Sequence, residues 1–372
     1  MQTDTERFPR VLAAFEEGVT RGLHTGLQIY VSVDGVPLLH TGFGNAAPGR
    51  PMTPQTLMPW RSAGKPLTAL LLLTMLDQPQ QQLQLPLSHW LPESIGTDKS
   101  SLTLTDLLTH QSGFPLTDTG WPHSSWDDSV RTVLQTPCQL PRGTAAYHPQ
   151  SSWFLLGEII RRVVAQGQQT PPAFAAILQQ RLLDPLGMLQ SGCGITAPDS
   201  PEIVNRLPVL YERQHGQLQV SPAGAAPWLV TPSAGGNLRG PISELGRFYE
   251  MLLRSGRTAQ GLVFAAEPVV QLMTCRHRVA MHDQTFQQVI DFGLGVICNS
   301  ARYGAALVPY GFGSRCSDSA FGHDHRVRSG RGPIGDQALR SRHVPRLLFG
   351  VLVFGLRDWL GFDRPQGRAE IA

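Results

Sequence analysis

A serine and a lysine three residues apart stand at the start of a long apolar segment, WRSAGKPLTALLLL, which begins at Trp60. The apolar residues from Pro66 onward predict a helix that is buried on most sides. Pro66 must lie in its first turn, because proline is tolerated only where the backbone N–H has no intrahelical partner. Ser62 is therefore expected at or just before the helix start, with Lys65 one turn further on the same face.

The lysine of this pair is unusual for the chain, in which Lys65 and Lys99 are the only lysines. Desolvation and the positive end of the helix dipole both disfavour a charged ammonium, so both are expected to lower the pKa of Lys65. A neutral lysine can take the proton of a neighbouring hydroxyl, which makes Ser62 a candidate nucleophile for acyl transfer. The alternative is that the SxxK spacing arises by chance and that Lys65 reaches solvent.

A third candidate, Tyr147, stands in GTAAYHPQSSWFLLGEII directly before a predicted helix, whose N-cap would be Ser151 or Ser152. A nucleophilic serine needs a further proton-transfer group that is distant in sequence and close in the fold. A tyrosine in such a loop is more often a packing residue, so Tyr147 gains a catalytic interpretation only together with Ser62. Structural roles are expected for His110, Trp153, Phe154 and Glu158.

The rest of the chain must supply the elements that place these groups together. The segment GLQIYVSVDGVPLLHTGFG from Gly26 predicts two strands joined by a turn at Asp34-Gly35. Between about residues 78 and 230, short helices interrupted by proline and glycine predict a mostly helical insertion. Beyond it, PISELGRFYEMLLRSG from Pro241 predicts an amphipathic helix and VIDFGLGVIC from Val289 predicts a strand.

Composition places the chain among globular proteins, since 372 residues with 41% hydrophobic content can bury a sizeable core. Five scattered cysteines without CxxC spacing argue against a disulfide framework or a zinc ribbon. The amino-terminal sequence does not resemble a secretory signal, so a cytoplasmic location is expected. The apolar stretch LLFGVLVFGL from Leu347 is too short to span a bilayer and is interpreted as a buried strand. No basic run with interleaved aromatic residues indicates nucleic-acid binding.

Several motifs in one consistent order resemble those of the serine β-lactamase and penicillin-binding-protein superfamily. The resemblance is to the branch that holds class C β-lactamases, D-alanine carboxypeptidases and esterase-like serine hydrolases. SAGK from Ser62 is similar to the SxxK motif, LLTHQSGFP from Leu107 to the LLTHxSGLP segment, and Tyr147 with the following helix to the tyrosine motif. GNLRGPISELGRFYEMLL from Gly236 resembles the helix that leads back into the sheet. The resemblance covers roughly residues 10–325.

This resemblance implies both a fold and a mechanism. The fold would be an α/β sandwich, in which an antiparallel sheet formed by both ends of the chain is flanked by helices, with the helical subdomain inserted at about residues 78–230. In the cleft between them Ser62 would attack an acyl carbonyl, while Lys65 and Tyr147 would share the proton transfers. The Ser62 backbone N–H would be one oxyanion donor. No metal or cofactor is implied.

Two motifs depart from the family pattern. Pro149 occupies the asparagine position of YxN, so the side-chain amide that holds a β-lactam or peptide amide is missing. In AFGHDHRVRSG, His323 would be the polar substrate contact of an HxG motif, but His325 replaces the glycine beside which the acyl group should lie. The second oxyanion donor would be the N–H near His325. Metal ligation by these two histidines is an alternative, although no cysteine pair or helical histidine pair accompanies them.

The sequence changes composition where the third motif departs. From His325 to the end it holds nine arginines and four acidic residues, whereas residues 1–324 carry a net charge of −2. One hypothesis is that residues 325–372 are a shifted reading frame or an atypical terminus, because GC-rich codons read out of frame give Arg, Gly and Pro. The other is a native variation in which RLLFGVLVFGL from Arg346 supplies a final core strand. Inspection of the neighbouring reading frames for a GHxG strand would distinguish them.

These observations predict a hydrolase domain at residues 1–324, with an atypical segment at residues 325–372. The substrate would be a small ester, amide or β-lactam-like molecule, and the altered motifs favour an ester. Its cleavage would proceed through a covalent acyl-serine intermediate. The alternative is a catalytically impaired family member that only binds a ligand. The expected catalytic residues are Ser62, Lys65 and Tyr147, and the expected substrate or oxyanion contacts are His323 and His325.

Overall fold

The computed structural model describes residues 8–168, 170–197, 200–214, 217–304 and 316–323. Its α-helices are α1 (Pro9–Thr20), α2 (Lys65–Leu73), α3 (Pro79–Gln82), α4 (Leu87–Trp90), α5 (Leu104–Leu108), α6 (Trp126–Gln135), α7 (Ser151–Ala165), α8 (Phe174–Leu178), α9 (Pro201–Val204), α10 (Ile242–Leu253) and α11 (Glu267–Thr274). Its strands are β1 (Gly26–Val33), β2 (Val36–Ala47), β3 (Arg50–Pro51), β4 (Met58–Pro59), β5 (Gly192–Cys193), β6 (Tyr211–Gln214), β7 (Gln217–Val220), β8 (Leu238–Gly240), β9 (His282–Asp283), β10 (Gln288–Val289), β11 (Ile297–Cys298) and β12 (Phe321–Gly322).

The amino-terminal strands β1 and β2 form the predicted hairpin, and β3 pairs with the far end of β2. At the turn, Asp34 and Gly35 have φ angles of 50° and 78°. Two successive left-handed residues match the two-residue hairpin loop that an Asp-Gly pair favours. Helix α10 packs on β1, where the Tyr30 hydroxyl donates to the Glu250 carboxylate at 2.7 Å. The hairpin and the helix predicted from Pro241 are both confirmed.

A second small sheet, in the order β4-β8-β5, determines where the serine lies. Pro59 on β4 and Gly192 on β5 are both opposite Arg239 of the central strand β8. Directly after β4 the chain enters the 3₁₀ turn Arg61–Gly64, which contains Ser62. The turn therefore follows an edge strand that is paired with the central strand β8.

Helix α2 is the buried helix that the apolar run predicts, since all nine of its residues are buried. It packs against α7, whose Trp153 and Phe154 are 0% and 1% exposed and belong to the core as expected. The prediction of a serine N-cap for α7 is wrong. Gln150 occupies that position, while the Ser151 hydroxyl points inward and donates to the Phe114 carbonyl oxygen at 2.9 Å.

The predicted mixed α/β class with antiparallel strands is confirmed. Within the described residues the strands form several small sheets, and β11 pairs with β12 rather than with the amino-terminal hairpin. The strand predicted over VIDFGLGVIC is interrupted, because β10 ends at Val289 and β11 begins at Ile297, with Phe292 forming isolated bridges between them. The strand predicted near Leu347 lies outside the described residues. No helix among the described ones is both long and apolar enough to cross a membrane.

Glu158 has the structural role that its position on α7 predicts. Its buried carboxylate accepts hydrogen bonds from the Trp126 indole at 2.9 Å and forms ion pairs with Arg161 at 2.6 Å and Arg162 at 2.9 Å. These three partners join α6 to α7 and contact both oxygens of the carboxylate. Helix α7 presents the residues around the serine, so this network supports the site from a distance.

We expect Glu158→Gln to lower the free energy of unfolding by about 1–3 kcal/mol, because an amide loses the two charge-assisted contacts of a buried group. Urea denaturation would measure the change. Glu93→Gln is the matched control, since Glu93 contacts Arg162 from a largely exposed position and exposed pairs contribute about 0–1 kcal/mol. Equal effects of the two substitutions would contradict the structural role assigned to Glu158.

Candidate active site

Ser62 is held at the surface of the core by its neighbours in the turn. The backbone N–H of Trp60 donates to the Leu238 carbonyl at 2.9 Å, and its indole N–H donates to the Gly240 carbonyl at 3.1 Å. On the other side of the serine, a Cβ added to Gly64 would lie 2.9 Å from the Leu238 side chain. Only glycine permits this close approach to β8. The turn that carries Ser62 is thus fixed on both sides.

Lys65, the first residue of α2, is fully buried and lies directly against Ser62. Its Nζ is 3.0 Å from Ser62 Oγ and 2.8 Å from the Pro149 carbonyl oxygen, and it also donates to the Gly235 carbonyl oxygen. The carbonyls can only accept, so a neutral amine would give them its two N–H groups. Its lone pair is then left for the Ser62 hydroxyl.

The environment of Lys65 favours this neutral form. Burial lowers the pKa of Lys65 well below its usual value of 10.5. The aromatic rings of Tyr147 and Trp153 lie with their centroids 5.4 and 5.3 Å from Nζ, and no carboxylate forms an ion pair with Lys65 among the described residues. The alternative in which the lysine reaches solvent is therefore wrong. A buried base beside a hydroxyl is the arrangement that activates a serine.

Tyr147 lies close to Lys65, whose Nζ is 5.4 Å from the centroid of the tyrosine ring. Its ring is buried, with 5% exposure, and its centroid lies 4.4 Å from that of His110 and 4.7 Å from that of Phe286. His110 also accepts a hydrogen bond at Nδ1 from the His148 backbone N–H at 3.0 Å, as its predicted structural role requires. Burial lowers the pKa of His110 well below 6.5. The structure thus brings Ser62, Lys65 and Tyr147 together.

The backbone of Tyr147 is held by a charge pair that the sequence did not reveal. Arg278 and Asp283 have fully buried side chains joined at 2.9 Å. The Asp283 carboxylate accepts the backbone N–H of Tyr147 at 3.2 Å, and the Arg278 guanidinium donates to the Thr109 carbonyl at 3.1 Å. The Tyr147 carbonyl in turn accepts from the Thr285 hydroxyl at 3.1 Å. No motif or spacing marks these residues, because their contacts connect segments far apart in sequence.

Pro149 lies against the lysine. A backbone carbonyl of Pro149 contacts Lys65 there, and proline offers no side-chain amide to a substrate. The next residue, Gln150, accepts a hydrogen bond from the Ser233 hydroxyl at 2.6 Å. Ser233 precedes the segment whose Gly235 carbonyl also holds Lys65. The chain after the tyrosine therefore serves mainly to orient the lysine.

His323 follows β12 directly, and its ring centroid lies 6.0 Å from that of Tyr147. His323 therefore lies beside Tyr147. The prediction for His325 lies outside the described residues, as does the whole segment 325–372. Within the described residues, no group of three or more His, Cys, Asp or Glu side chains is arranged to hold a metal ion.

Comparison with known proteins finds a curated relative and several solved structures of similar fold. Esterase EstB of Burkholderia gladioli is 26% identical over 178 residues, which are 42% of this chain and 44% of that protein. The chain therefore matches less than half the length of this curated relative. Solved structures with a similar fold include a penicillin-binding protein homologue from Caulobacter crescentus, with 22% identity, a TM-score of 0.66 and 87% of each chain covered. A family VIII carboxylesterase has 20% identity, a TM-score of 0.66 and 85% of each chain covered.

At these identities the solved structures show the fold alone. The family model described as Beta-lactamase matches residues 11–325, which is most of the chain and includes the segments that carry Ser62, Lys65 and Tyr147. The protein belongs to the Beta-lactamase family, within the serine β-lactamase and penicillin-binding-protein superfamily.

Proposed function

We propose that this chain is a serine hydrolase that cleaves a small ester or amide through a covalent acyl-Ser62 intermediate. The observation that carries the proposal is the 3.0 Å contact between Lys65 Nζ and Ser62 Oγ, made while backbone carbonyls take the other hydrogen bonds of the amine. A neutral amine in that position can accept the hydroxyl proton as the oxygen attacks. Proton transfer of this kind contributes about 10²–10⁴-fold to a rate.

In the acylation step, Ser62 Oγ bonds to the acyl carbon while its proton passes to Lys65. The bond from that carbon to the leaving group breaks, and Tyr147 supplies the proton with which the alcohol or amine departs. Lys65 then returns a proton to Tyr147. Water attacks the acyl carbon in the second half of the cycle, which releases a carboxylic acid and restores Ser62. The Ser62 backbone N–H would be one donor to the oxyanion.

The altered second motif supports an ester rather than a β-lactam or peptide amide. Without an asparagine at position 149, the chain lacks the side-chain amide that would hold a substrate amide group. The relatives named as an esterase and a carboxylesterase agree with this preference. We place the chain nearest the branch that holds class C β-lactamases and esterase-like hydrolases.

A second candidate, a ligand-binding protein without turnover, is favoured by the same departure at Pro149. Such a protein would bind an acyl or peptide ligand but would not complete the hydrolytic cycle. An active hydrolase gives a burst followed by steady release of 4-nitrophenol from 4-nitrophenyl acetate, whereas the binding protein gives neither.

Intact-mass spectrometry after exposure to a serine-reactive fluorophosphonate tests the proposal. We expect one adduct on the wild-type protein and none on Ser62→Ala, because only a serine with an adjacent base attacks the reagent rapidly. Ser129→Ala, on α6 and away from the site, is the matched control and should still be labelled. An adduct that survives in Ser62→Ala, or no adduct on a folded wild-type protein, would overturn the assignment of Ser62.

A further inference from the structure

Two arginines, one next to Ser62 in sequence and one on β8, carry positive charge without an acidic partner in the described part of the chain. Arg61 directly precedes Ser62, and Arg239 lies at the middle of β8, where it is 4% exposed. Neither forms an ion pair with a described carboxylate. The Nε and Nη2 atoms of Arg61 and the Nε atom of Arg239 are buried and have no hydrogen-bond partner among the residues that the structure describes. Buried charged groups without a partner carry a large desolvation penalty, so this arrangement calls for an anion.

The sheet brings the backbone positions of the two arginines close together. Arg239 is opposite Pro59 in the antiparallel ladder between β8 and β4, and Arg61 comes two residues after Pro59. The charge of Arg61 adds to the effect of burial in lowering the pKa of Arg239 to about 10. Burial alone lowers the pKa of Arg61 to about 10. The two like charges therefore interact, and their repulsion adds to the cost of burial.

Arg239 is also oriented by its surroundings. Its Nη2 atom donates to the Asn237 side-chain oxygen at 3.0 Å. The Asn237 amide nitrogen donates to the Thr231 carbonyl at 2.8 Å and to the Trp228 carbonyl at 3.0 Å, which fixes the direction of the amide. One edge of the Arg239 guanidinium is thereby held in place, and the Nε side remains for a ligand. A pre-oriented guanidinium loses less entropy when it binds a planar anion.

Backbone geometry holds Arg61 in a particular direction as well. Its φ angle is 51°, in the left-handed region that non-glycine residues rarely adopt. Non-glycine residues in this strained conformation occur preferentially at functional sites. The conformation lies in the turn that presents Ser62, so the side chain of Arg61 and the nucleophile are positioned by the same bend.

We propose that Arg61 and Arg239 form an anion-binding subsite next to Ser62, which takes an oxyanion group of the substrate such as a carboxylate or a phosphate. Guanidinium groups bind both anions through paired, charge-assisted hydrogen bonds. The proposal rests on the proposed function, because it assigns the substrate class of the same site. The hydrolysed molecule would be a small ester that carries a second, negatively charged end, for example the half-ester of a dicarboxylic acid.

Anion binding is tested without turnover in the Ser62→Ala protein. We expect glutarate or inorganic phosphate to raise the midpoint of thermal unfolding saturably, above the effect of sodium chloride at equal ionic strength. Arg61→Gln and Arg239→Gln should each remove most of the rise, and Arg239→Lys should keep part of it because the charge stays while the planar fork is lost. Arg131→Gln, at an exposed position on α6, should leave the rise unchanged. Comparing glutarate with phosphate shows which anion the subsite prefers.

Turnover supplies an independent readout. In the wild-type protein, kcat/KM for 4-nitrophenyl hydrogen glutarate should exceed that for neutral 4-nitrophenyl pentanoate by about tenfold or more, since hydrogen bonds to charged groups contribute about 1.5–3 kcal/mol. The ratio should fall towards one in Arg61→Gln and Arg239→Gln. A thermal shift that is the same in these variants and the wild type, or a wild-type ratio near one, would overturn the subsite. Fluorophosphonate labelling of Ser62 is independent of both, so failure of the subsite and failure of the hydrolase proposal remain distinguishable.

Discussion

Replacing Lys65 by methionine is expected to lower the rate of Ser62 acylation by about 10³-fold, within the range that a positioned general base contributes. Methionine has a similar length but cannot accept the proton that the serine must lose. The Ser62 hydroxyl would then attack with no base at 3.0 Å. Time-resolved intact-mass measurement of fluorophosphonate labelling gives the rate. A loss smaller than tenfold would exclude Lys65 as the base.

The chain offers a close control for this substitution. Lys99 is the other lysine, and it is also fully buried, but it pairs with Asp98 at 2.9 Å and lies against the Phe114 ring away from Ser62. Lys99→Met removes a buried ammonium without touching the site. Its folded fraction should label at the wild-type rate, so a loss limited to Lys65→Met separates base catalysis from a general effect of burying a methionine.

The pH dependence follows from the sign of the Lys65 shift. The pKa of Lys65 is lowered in the folded protein, so the fraction of neutral amine grows as the pH rises through that lowered pKa. The acylation rate should rise with pH and level off well below 10.5. Between the folded pKa and 10.5 the unfolded chain holds a proton that the folded chain lacks, so the free energy of unfolding should increase with pH in this window. In Lys65→Met, the rise of the acylation rate with pH and the increase in the free energy of unfolding with pH should both disappear.

Arg278→Met is expected to lower the free energy of unfolding by about 3–5 kcal/mol, because it leaves the Asp283 carboxylate buried without its counter-charge. Both side chains of the pair have no exposed surface. The carboxylate also accepts the Tyr147 N–H, so labelling of Ser62 in the folded fraction should slow as well. Urea denaturation measures the free energy of unfolding, and the rate of fluorophosphonate labelling at low urea concentration measures the reactivity of Ser62.

Two further variants make this prediction specific. The double variant Arg278→Met with Asp283→Leu should recover part of the lost stability, since removing both charges also removes the uncompensated one. Recovery should be incomplete, because the Tyr147, Thr285 and Phe286 backbone N–H groups lose their acceptor. Arg131→Met, in an exposed pair with Asp128, should change stability by about 0.5 kcal/mol or less. If Arg278→Met alone were as stable as Arg131→Met, the buried pair would not support the fold.

The local parts of the site were predictable because they depend on short-range rules. Proline at the second position of α2 determines where the helix starts, and the spacing of three residues then brings Ser62 and Lys65 into contact. The Asp34-Gly35 turn follows in the same way from the conformational freedom of its residues. Such features are encoded within a few residues and do not need the rest of the fold.

Features that arise from tertiary packing were not predictable. The serine N-cap of α7 is wrong because Ser151 finds a buried carbonyl acceptor in Phe114, which a local pattern cannot indicate. Asp283 and Arg278 contact Tyr147 and Thr109, which are more than 130 residues away in sequence, and the backbone of Arg61 comes near that of Arg239 only because β4 pairs with β8. The subdomain boundaries at about residues 78 and 230 and the role of His325 stay predictions.

The two buried lysines have a practical consequence for chemical labelling of this protein. Both Lys65 and Lys99 have no exposed surface in the folded chain. A succinimidyl ester therefore reaches their side-chain amines only when a molecule opens, and modification of these two residues counts opening events rather than surface accessibility. Modification detected at the side chains of Lys65 or Lys99 would accordingly mark denatured molecules, so the side-chain lysines act as a built-in reporter of unfolding.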